Sequence, residues 1–173
     1  KKKQAEATNA IKYMLIVEGQ MDVVSLHKAG FDTAVASMGT ALTSDQAKLL
    51  KRFSDNVLIC YDGDFAGQKA TLRGLDILKA EGLNIKVMNL PEGMDPDDVI
   101  NKMGREGFVK LMREAMPLTD FKLEVIRRQC DMKTREGRTK FVENALLVLK
   151  ELSSEVEREV YIPLVAEMSN TNI

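Results

Sequence analysis

The sequence predicts an α/β fold with a mainly parallel sheet flanked by helices, followed by an all-α helical-bundle subdomain. Short continuous apolar runs alternate with helix-like stretches over the first hundred residues, as in parallel strands covered on both faces. After Pro117 the apolar residues recur with the 3.6-residue period of helices. With 173 residues, 45% of them apolar, the chain is long enough to bury a core.

Four strands and the helices between them account for the α/β part. Because each is a short apolar run, strands are predicted at 13–17, 33–36, 56–61 and 84–88. The intervening stretches predict a helix over about 20–29, another from Thr43 to about Phe53, and a longer one ended by Gly82. Thr43 and Gln46 have the spacing of a capping box. Asp95 before Pro96 predicts the cap of a helical stretch, and short helices are expected from there to about Ala115.

The remaining residues predict a bundle of three helices. Leu118, Phe121 and Val125 indicate the first helix, and two apolar stripes indicate the others. The stripes are Phe141, Ala145, Val148, Leu149 and Leu152, then Val156, Val160, Leu164 and Met168. We therefore divide the chain into 1–10, the end of a preceding segment or an expression remnant, a domain over 11–115 and a helical subdomain over 116–173.

Composition excludes several classes of protein. Lys and Arg number 25 against 26 Asp and Glu, so nucleic acid would be bound by local patches or metal ions. The absence of Trp argues against an aromatic surface that stacks single strands. No apolar run reaches membrane-spanning length, and no signal peptide is evident, which favours a cytoplasmic protein. The first residue is not Met, so we expect a piece of a longer protein.

Acidic side chains follow three of the four predicted strands. Because the carboxyl ends of parallel strands meet at one edge of a sheet, these acids are expected close together. Crowded carboxylates repel one another unless a cation lies among them, and their oxygens suit Mg²⁺ or Mn²⁺ rather than zinc. The alternative is that some are only helix caps. The acids are Glu18, Asp22, Asp62, Asp64, Asp95 and Asp97.

The same acidic stretches resemble the three signatures of TOPRIM domains. These stretches are residues 18–22, 62–67 and 93–97. Within that group the sequence is most similar to bacterial DnaG-type DNA primases. Residues 36–43 resemble the loop after the second strand of primases, and residues 115–118 resemble the junction to their helical subdomain. Gln20 departs from the pattern, because primases often carry an aromatic residue there.

The resemblance implies an enzyme, a DNA-directed RNA polymerase that makes short RNA primers from NTPs on a single-stranded DNA template. It places catalytic and metal-binding roles on Glu18, Asp62 and Asp64, and it adds Asp22, Asp95 and Asp97 as further expected metal-binding residues. Nucleotide contacts are expected from Ser37, Gly39, Thr40 and Lys69. The RNA–DNA hybrid is a further expected partner. The replicative helicase is expected to bind through a domain missing from this sequence. Alone, the fragment is expected to bind metal and to be weak or inactive in primer synthesis.

Two other functions and one charged segment stay open. A TOPRIM nuclease shares the acids, and a non-catalytic metal-binding module would use the helices as a docking surface. Residues 122–140 carry seven cations against three acids. This segment is a candidate contact for template or hybrid, and a solvated helical face is the alternative.

Overall fold

The computed structural model describes residues 13–37, 42–62 and 69–170, which form two compact units that divide between Leu118 and Thr119. The strands are β1 (Met14–Val17), β2 (Ala34–Ala36), β3 (Asn56–Ile59), β4 (Asn84–Val87) and β5 (Met116–Pro117). The helices in these ranges are α1 (Gln20–Lys28), α2 (Ser44–Lys51), α3 (Lys69–Ala80), α4 (Pro96–Arg113), α5 (Leu118–Arg128), α6 (Arg135–Lys150) and α7 (Glu155–Ser169).

The first unit contains a mixed sheet in the order β2-β1-β3-β4-β5. The first four strands are parallel, as predicted. β5 is antiparallel to β4, and Val87 lies opposite Met116. The sequence analysis missed this strand because it has two residues, and it placed a domain boundary at 116. The two compact units divide three residues later, between Leu118 and Thr119, because β5 belongs to the sheet.

Both faces of the sheet are buried. Leu15 and Val17 of β1 pack with Leu26 of α1 and with Val99 and Phe108 of α4. The alternate residues of the central strands, such as Ile16 and Ile59, are also buried. This is the burial that continuous apolar strands require. Gly104 has a φ of 68° and kinks α4, which agrees with the short helices expected before residue 115.

The helix starts also agree with the sequence analysis. The Gln46 N–H donates to Thr43 Oγ1 at 3.3 Å, and the Thr43 N–H donates to Gln46 Oε1 at 2.9 Å. This reciprocal pair is the predicted capping box at the start of α2. Asp95 caps α4, and Pro96 occupies its first turn, where no N–H is needed.

The second unit is a three-helix arrangement with its own core. Phe141, Ala145, Leu149 and Leu152 are buried, as the first stripe predicts, and they pack with Val165.

The second predicted stripe is wrong at its start, because Val156 and Val160 are 71% and 68% exposed. Leu164 and Met168 of the same stripe do pack against the core, together with Tyr161 and Val165. Arg158 donates from Nε and Nη2 to the Leu152 carbonyl, both at 3.1 Å, and links the start of α7 to the turn that follows α6.

Candidate functional site

The sheet topology places Glu18 and Asp62 at neighbouring strand ends. β1 pairs with β3, and the Cys60 N–H donates to the Ile16 carbonyl at 2.8 Å. From β1 the chain first continues to β2 on one side and later reaches β3 on the other. Such a reversal opens a crevice beyond the carboxyl ends of the two strands, the usual ligand site of open α/β sheets. Glu18 and Asp62 therefore flank the crevice that the topology creates.

An open cavity of about 570 Å³ lies at this edge of the sheet. Its walls consist of the turn after β1 and of acids from the loops after β3 and β4. They are Glu18, Gly19, Gln20, Met21, Asp22, Asp62 and Asp95. Four of the six acids predicted to meet at the rim thus line one cavity, which we call the acidic crevice.

Glu18 lies in an unfavourable environment for a negative charge. Partial burial raises the pKa of its carboxyl group, and the nearby charges of Asp62 and Asp22 raise it further. A hydrogen bond from the backbone N–H of Asp62 acts in the opposite direction. Glu18 is therefore poised to gain either a proton or a cation.

Asp22 is the most deeply buried acid of the crevice, with 8% of its surface exposed. Its Oδ2 accepts the Gly19 N–H at 3.1 Å, which fixes the carboxylate below the start of α1. Burial raises the pKa of Asp22, as do the charges of Asp95 and Asp62, while N–H groups of Gly19 and Asp97 oppose the shift. Asp22 thus adds negative potential from beneath the cavity.

Asp95 and Asp97 both have partners inside the protein. Asp95 Oδ1 accepts the Asp98 N–H at 2.7 Å as the cap of α4. The Ser25 hydroxyl donates to Asp97 Oδ1 and links α1 to the start of α4. The sequence analysis missed Ser25, although its position three residues after Asp22 puts both on one face of α1.

Of the residues expected to contact the nucleotide, the structure describes the side chain of Ser37 alone. Ser37 is buried, its Oγ lies 3.3 Å from the Val17 carbonyl to which it donates, and its hydroxyl also interacts with Tyr61. Ser37 therefore contacts the last residue of β1 and Tyr61, which follows β3. Lys69 begins α3, but its side chain lies outside the described part. Asp64, Gly39 and Thr40 also lie outside the described residues.

The donor atoms of the crevice suit a hard divalent cation. Its described walls offer carboxylate oxygens, and no Cys or His is among the described residues that line it. Cys60 lies nearby but is buried, and burial raises the pKa of its thiol well above the ordinary value. Across residues 13–37, 42–62 and 69–170, no three metal-binding side chains are close enough to hold an ion. The described acids thus fit the ion chemically, without forming a closed ligand set by themselves.

Family models match both units of the chain. Residues 15–100 match the model described as Toprim-like, and residues 119–172 match the model described as the DnaB-helicase binding domain of primase. A DNA primase of Clostridium acetobutylicum is 44% identical over 89% of this chain. The DNA primase of Escherichia coli K12 is 40% identical over 84% of it.

The chain belongs to the bacterial DnaG-type DNA primase family. A structure titled as the DnaG catalytic core covers 99% of this primase segment and 55% of its own chain, at 35% identity and a TM-score of 0.72. A DnaG catalytic domain bound to ssDNA covers 96% of the segment and 53% of its own chain, at 35% identity and a TM-score of 0.75. The predicted TOPRIM fold and primase resemblance are thus confirmed.

This primase segment spans 26% of the length of both curated relatives. The helicase-binding family description agrees with the expected helicase partner, and it falls on residues 119–172 of this sequence. The described helices include none that is long and apolar enough to cross a membrane.

Proposed function

We propose that this segment supplies the metal-binding and nucleotide-binding part of a primase active centre, which makes short RNA primers from NTPs on single-stranded DNA in the cytoplasm. One observation supports the proposal above all. Glu18 and Asp62 flank the crevice where the order of strands reverses, and their charges interact there. Carboxylates raised in energy by mutual repulsion favour a cation that neutralises them.

Each acid has a proposed task. Glu18, Asp62 and Asp64 hold Mg²⁺ or Mn²⁺, with Asp95 and Asp97 beside them. The ion would supply charge neutralisation and positioning for the triphosphate. Asp22 remains fixed by the Gly19 N–H and contributes negative potential.

Glu18 is also proposed to accept a proton, because partial burial and the charges of Asp62 and Asp22 raise its pKa. The single strand, the RNA–DNA hybrid and the NTPs are the proposed partners of this centre. Gly39, Thr40 and Lys69 remain proposed nucleotide contacts, whereas we assign Ser37 a supporting role.

Calorimetric titration with Mn²⁺ tests the metal site. Native chain should bind the ion, and Asp62→Ala/Asp64→Ala should not. The control Asp32→Ala/Asp55→Ala removes two exposed acids that precede β2 and β3, at the opposite edge of the sheet, and should bind like the native chain. Equal binding by the native chain and the Asp62→Ala/Asp64→Ala variant would refute the site, and repeating the titration with ATP shows whether the triphosphate completes it.

A second proposed function is helicase docking by the helical unit. The family description of residues 119–172 supports it, and so do Val156 and Val160, adjacent exposed apolar side chains on α7. Val156→Lys/Val160→Lys should weaken binding of a DnaB-type helicase, measured by biolayer interferometry. The exposed pair Glu155→Lys/Glu159→Lys changes charge on the same helix and serves as the control. Equal loss in both variants would contradict an apolar contact.

The nuclease alternative has no support of its own, since the relatives and structures described above are primases. Product analysis separates the two activities, because a nuclease shortens labelled DNA and a primase extends RNA from NTPs.

A further inference from the structure

Positive charge is concentrated at one end of the helical unit, where α5 ends and α6 begins. Residues 127–138 contain five cations and two acids, in a chain whose net charge is −1. Arg128 ends α5 and Arg135 begins α6, so the short connection brings these cations to the same end of both helices. We call this group the basic turn: Arg127, Arg128, Lys133, Arg135 and Arg138.

The acids nearby do not neutralise the basic turn. Glu124 is shared by two arginines, since its carboxylate lies 3.5 Å from Arg127 Nη1 and 3.2 Å from Arg128 Nε. Within the described part of the chain, Lys133, Arg135 and Arg138 make no ion pair. Five cations against Glu124, Asp131 and Glu136 leave an excess of positive charge, and such an excess destabilises a folded protein. An anionic partner would remove that repulsion.

The connection that carries Lys133 and Arg135 is held in one conformation. Asp131 Oδ1 accepts the Lys133 N–H at 3.1 Å, and the Asp131 carbonyl accepts the Thr134 hydroxyl at 3.0 Å. The Gly137 N–H donates to Thr134 Oγ1, also at 3.0 Å. Gly137 lies so close that an added Cβ would be 2.0 Å from the Asp131 carbonyl oxygen. Asp131 is thus engaged in holding the turn, and the cations project from a preorganised surface.

We propose that the basic turn binds the phosphate backbone of nucleic acid and so gives the helical unit a direct contact with template or hybrid. The inference rests on the proposed primase function for the identity of the anion. Phosphates spaced along a strand match several cations on one rigid surface, and Arg pairs with phosphate through a planar fork. Residues 127–138 contain no aromatic residue, so this contact is electrostatic rather than one of base stacking. It is independent of sequence and strongly dependent on salt.

Fluorescence anisotropy with labelled oligothymidylate and with an RNA–DNA hybrid tests the proposal in the full chain. The variant Arg128→Gln/Lys133→Gln/Arg135→Gln removes three exposed cations. Because each contact to single-stranded DNA contributes about 0.7 to the slope of log affinity against log salt, the variant should reduce that slope by about 2. The control Lys48→Gln/Lys79→Gln/Lys150→Gln removes three exposed lysines elsewhere and should keep the native slope.

The variant Arg128→Lys/Lys133→Arg/Arg135→Lys retains the charges and should retain most of the binding, which separates charge from folding. A native slope in the Gln variant, or no binding of either nucleic acid by the native chain at low salt, would overturn the proposal. Loss of helicase binding with unchanged DNA binding would also overturn it and would assign the surface to the helicase. Mn²⁺ titration of the same Gln variant should match the native chain. A failure of the proposed metal site in the acidic crevice is thereby distinguished from a failure of nucleic-acid binding by the basic turn.

Discussion

Asp95 caps α4 and also lines the acidic crevice, and two substitutions separate these roles. Asp95→Ala removes the side-chain acceptor that lies 2.7 Å from the Asp98 N–H. Loss of such a cap costs about 1 kcal/mol. Loss of a negative charge at a helix N-terminus costs about 0.3 to 1 kcal/mol more. Asp95→Asn keeps an acceptor and removes only the charge.

The expected shifts in melting temperature follow from these free energies. For a chain of this length, 1 kcal/mol corresponds to about 2 to 4 °C. Without metal, Asp95→Ala should lower the melting temperature by about 3 to 7 °C, since it loses the cap and the charge. Asp95→Asn should lower it by less, because it keeps an acceptor for the Asp98 N–H, while the relieved repulsion with Asp22 is common to both variants. Circular dichroism at 222 nm follows the unfolding.

Mn²⁺ titration of the same two variants measures the second role. If Asp95 contributes to the ion site, both variants bind more weakly than the native chain, including the one with normal stability. If Asp95→Asn binds like the native chain, Asp95 is a cap only. Equal thermal destabilisation by Asn and Ala would refute the reasoning about the cap.

Three further changes test the fold and the crevice. Burial and nearby charges raise the pKa of Glu18, so its protonated form stabilises the folded chain. This stabilisation is complete below the ordinary pKa of a glutamate and is lost as the pH rises through the raised pKa of Glu18. Glu18→Gln should therefore melt higher than the native chain at pH 7 in EDTA and lose the stabilisation that Mn²⁺ gives; a lower melting temperature in EDTA would contradict the repulsion. Gly137→Ala should destabilise the chain by about 1 to 3 kcal/mol in urea unfolding, because its Cβ meets the Asp131 carbonyl, whereas an unchanged midpoint would show that the turn relaxes. Phe108→Ala, at a side chain with no exposed surface, should cost about 3 to 5 kcal/mol in the same assay, and less than 1 kcal/mol would show that the site collapses.

The central strands were predictable because their signal is local. An apolar run such as 14–17 has few alternatives to a buried strand. β5 carries no such signal, since Met116 and Pro117 become a strand only by pairing with β4. The face of α7 was unpredictable for a different reason. Apolar residues occur on most of its sides, so the sequence allows several rotations, and the packing of Val165 in the core of the helical unit selects one.

Part of the candidate site followed from a general property of parallel sheets. Acids after β1 and β3 had to lie at one edge, which predicted the proximity of Glu18 and Asp62 before the order of strands was known. The burial of Asp22 and the link from Ser25 to Asp97 depend on how α1 lies against α4. Such contacts between distant elements leave no local pattern.

The outer strands of the sheet bear on how the protein behaves at high concentration. An unpaired strand edge can template the addition of another chain, which leads to aggregation. Here β5 covers β4 with two residues, and Pro117 lacks the N–H that an incoming strand would need. The opposite edge, β2, has three residues. Both edge strands, β2 and β5, are too short to recruit a neighbouring molecule. The sheet therefore resists edge-to-edge association, although the acidic crevice at the carboxyl ends of its strands is open.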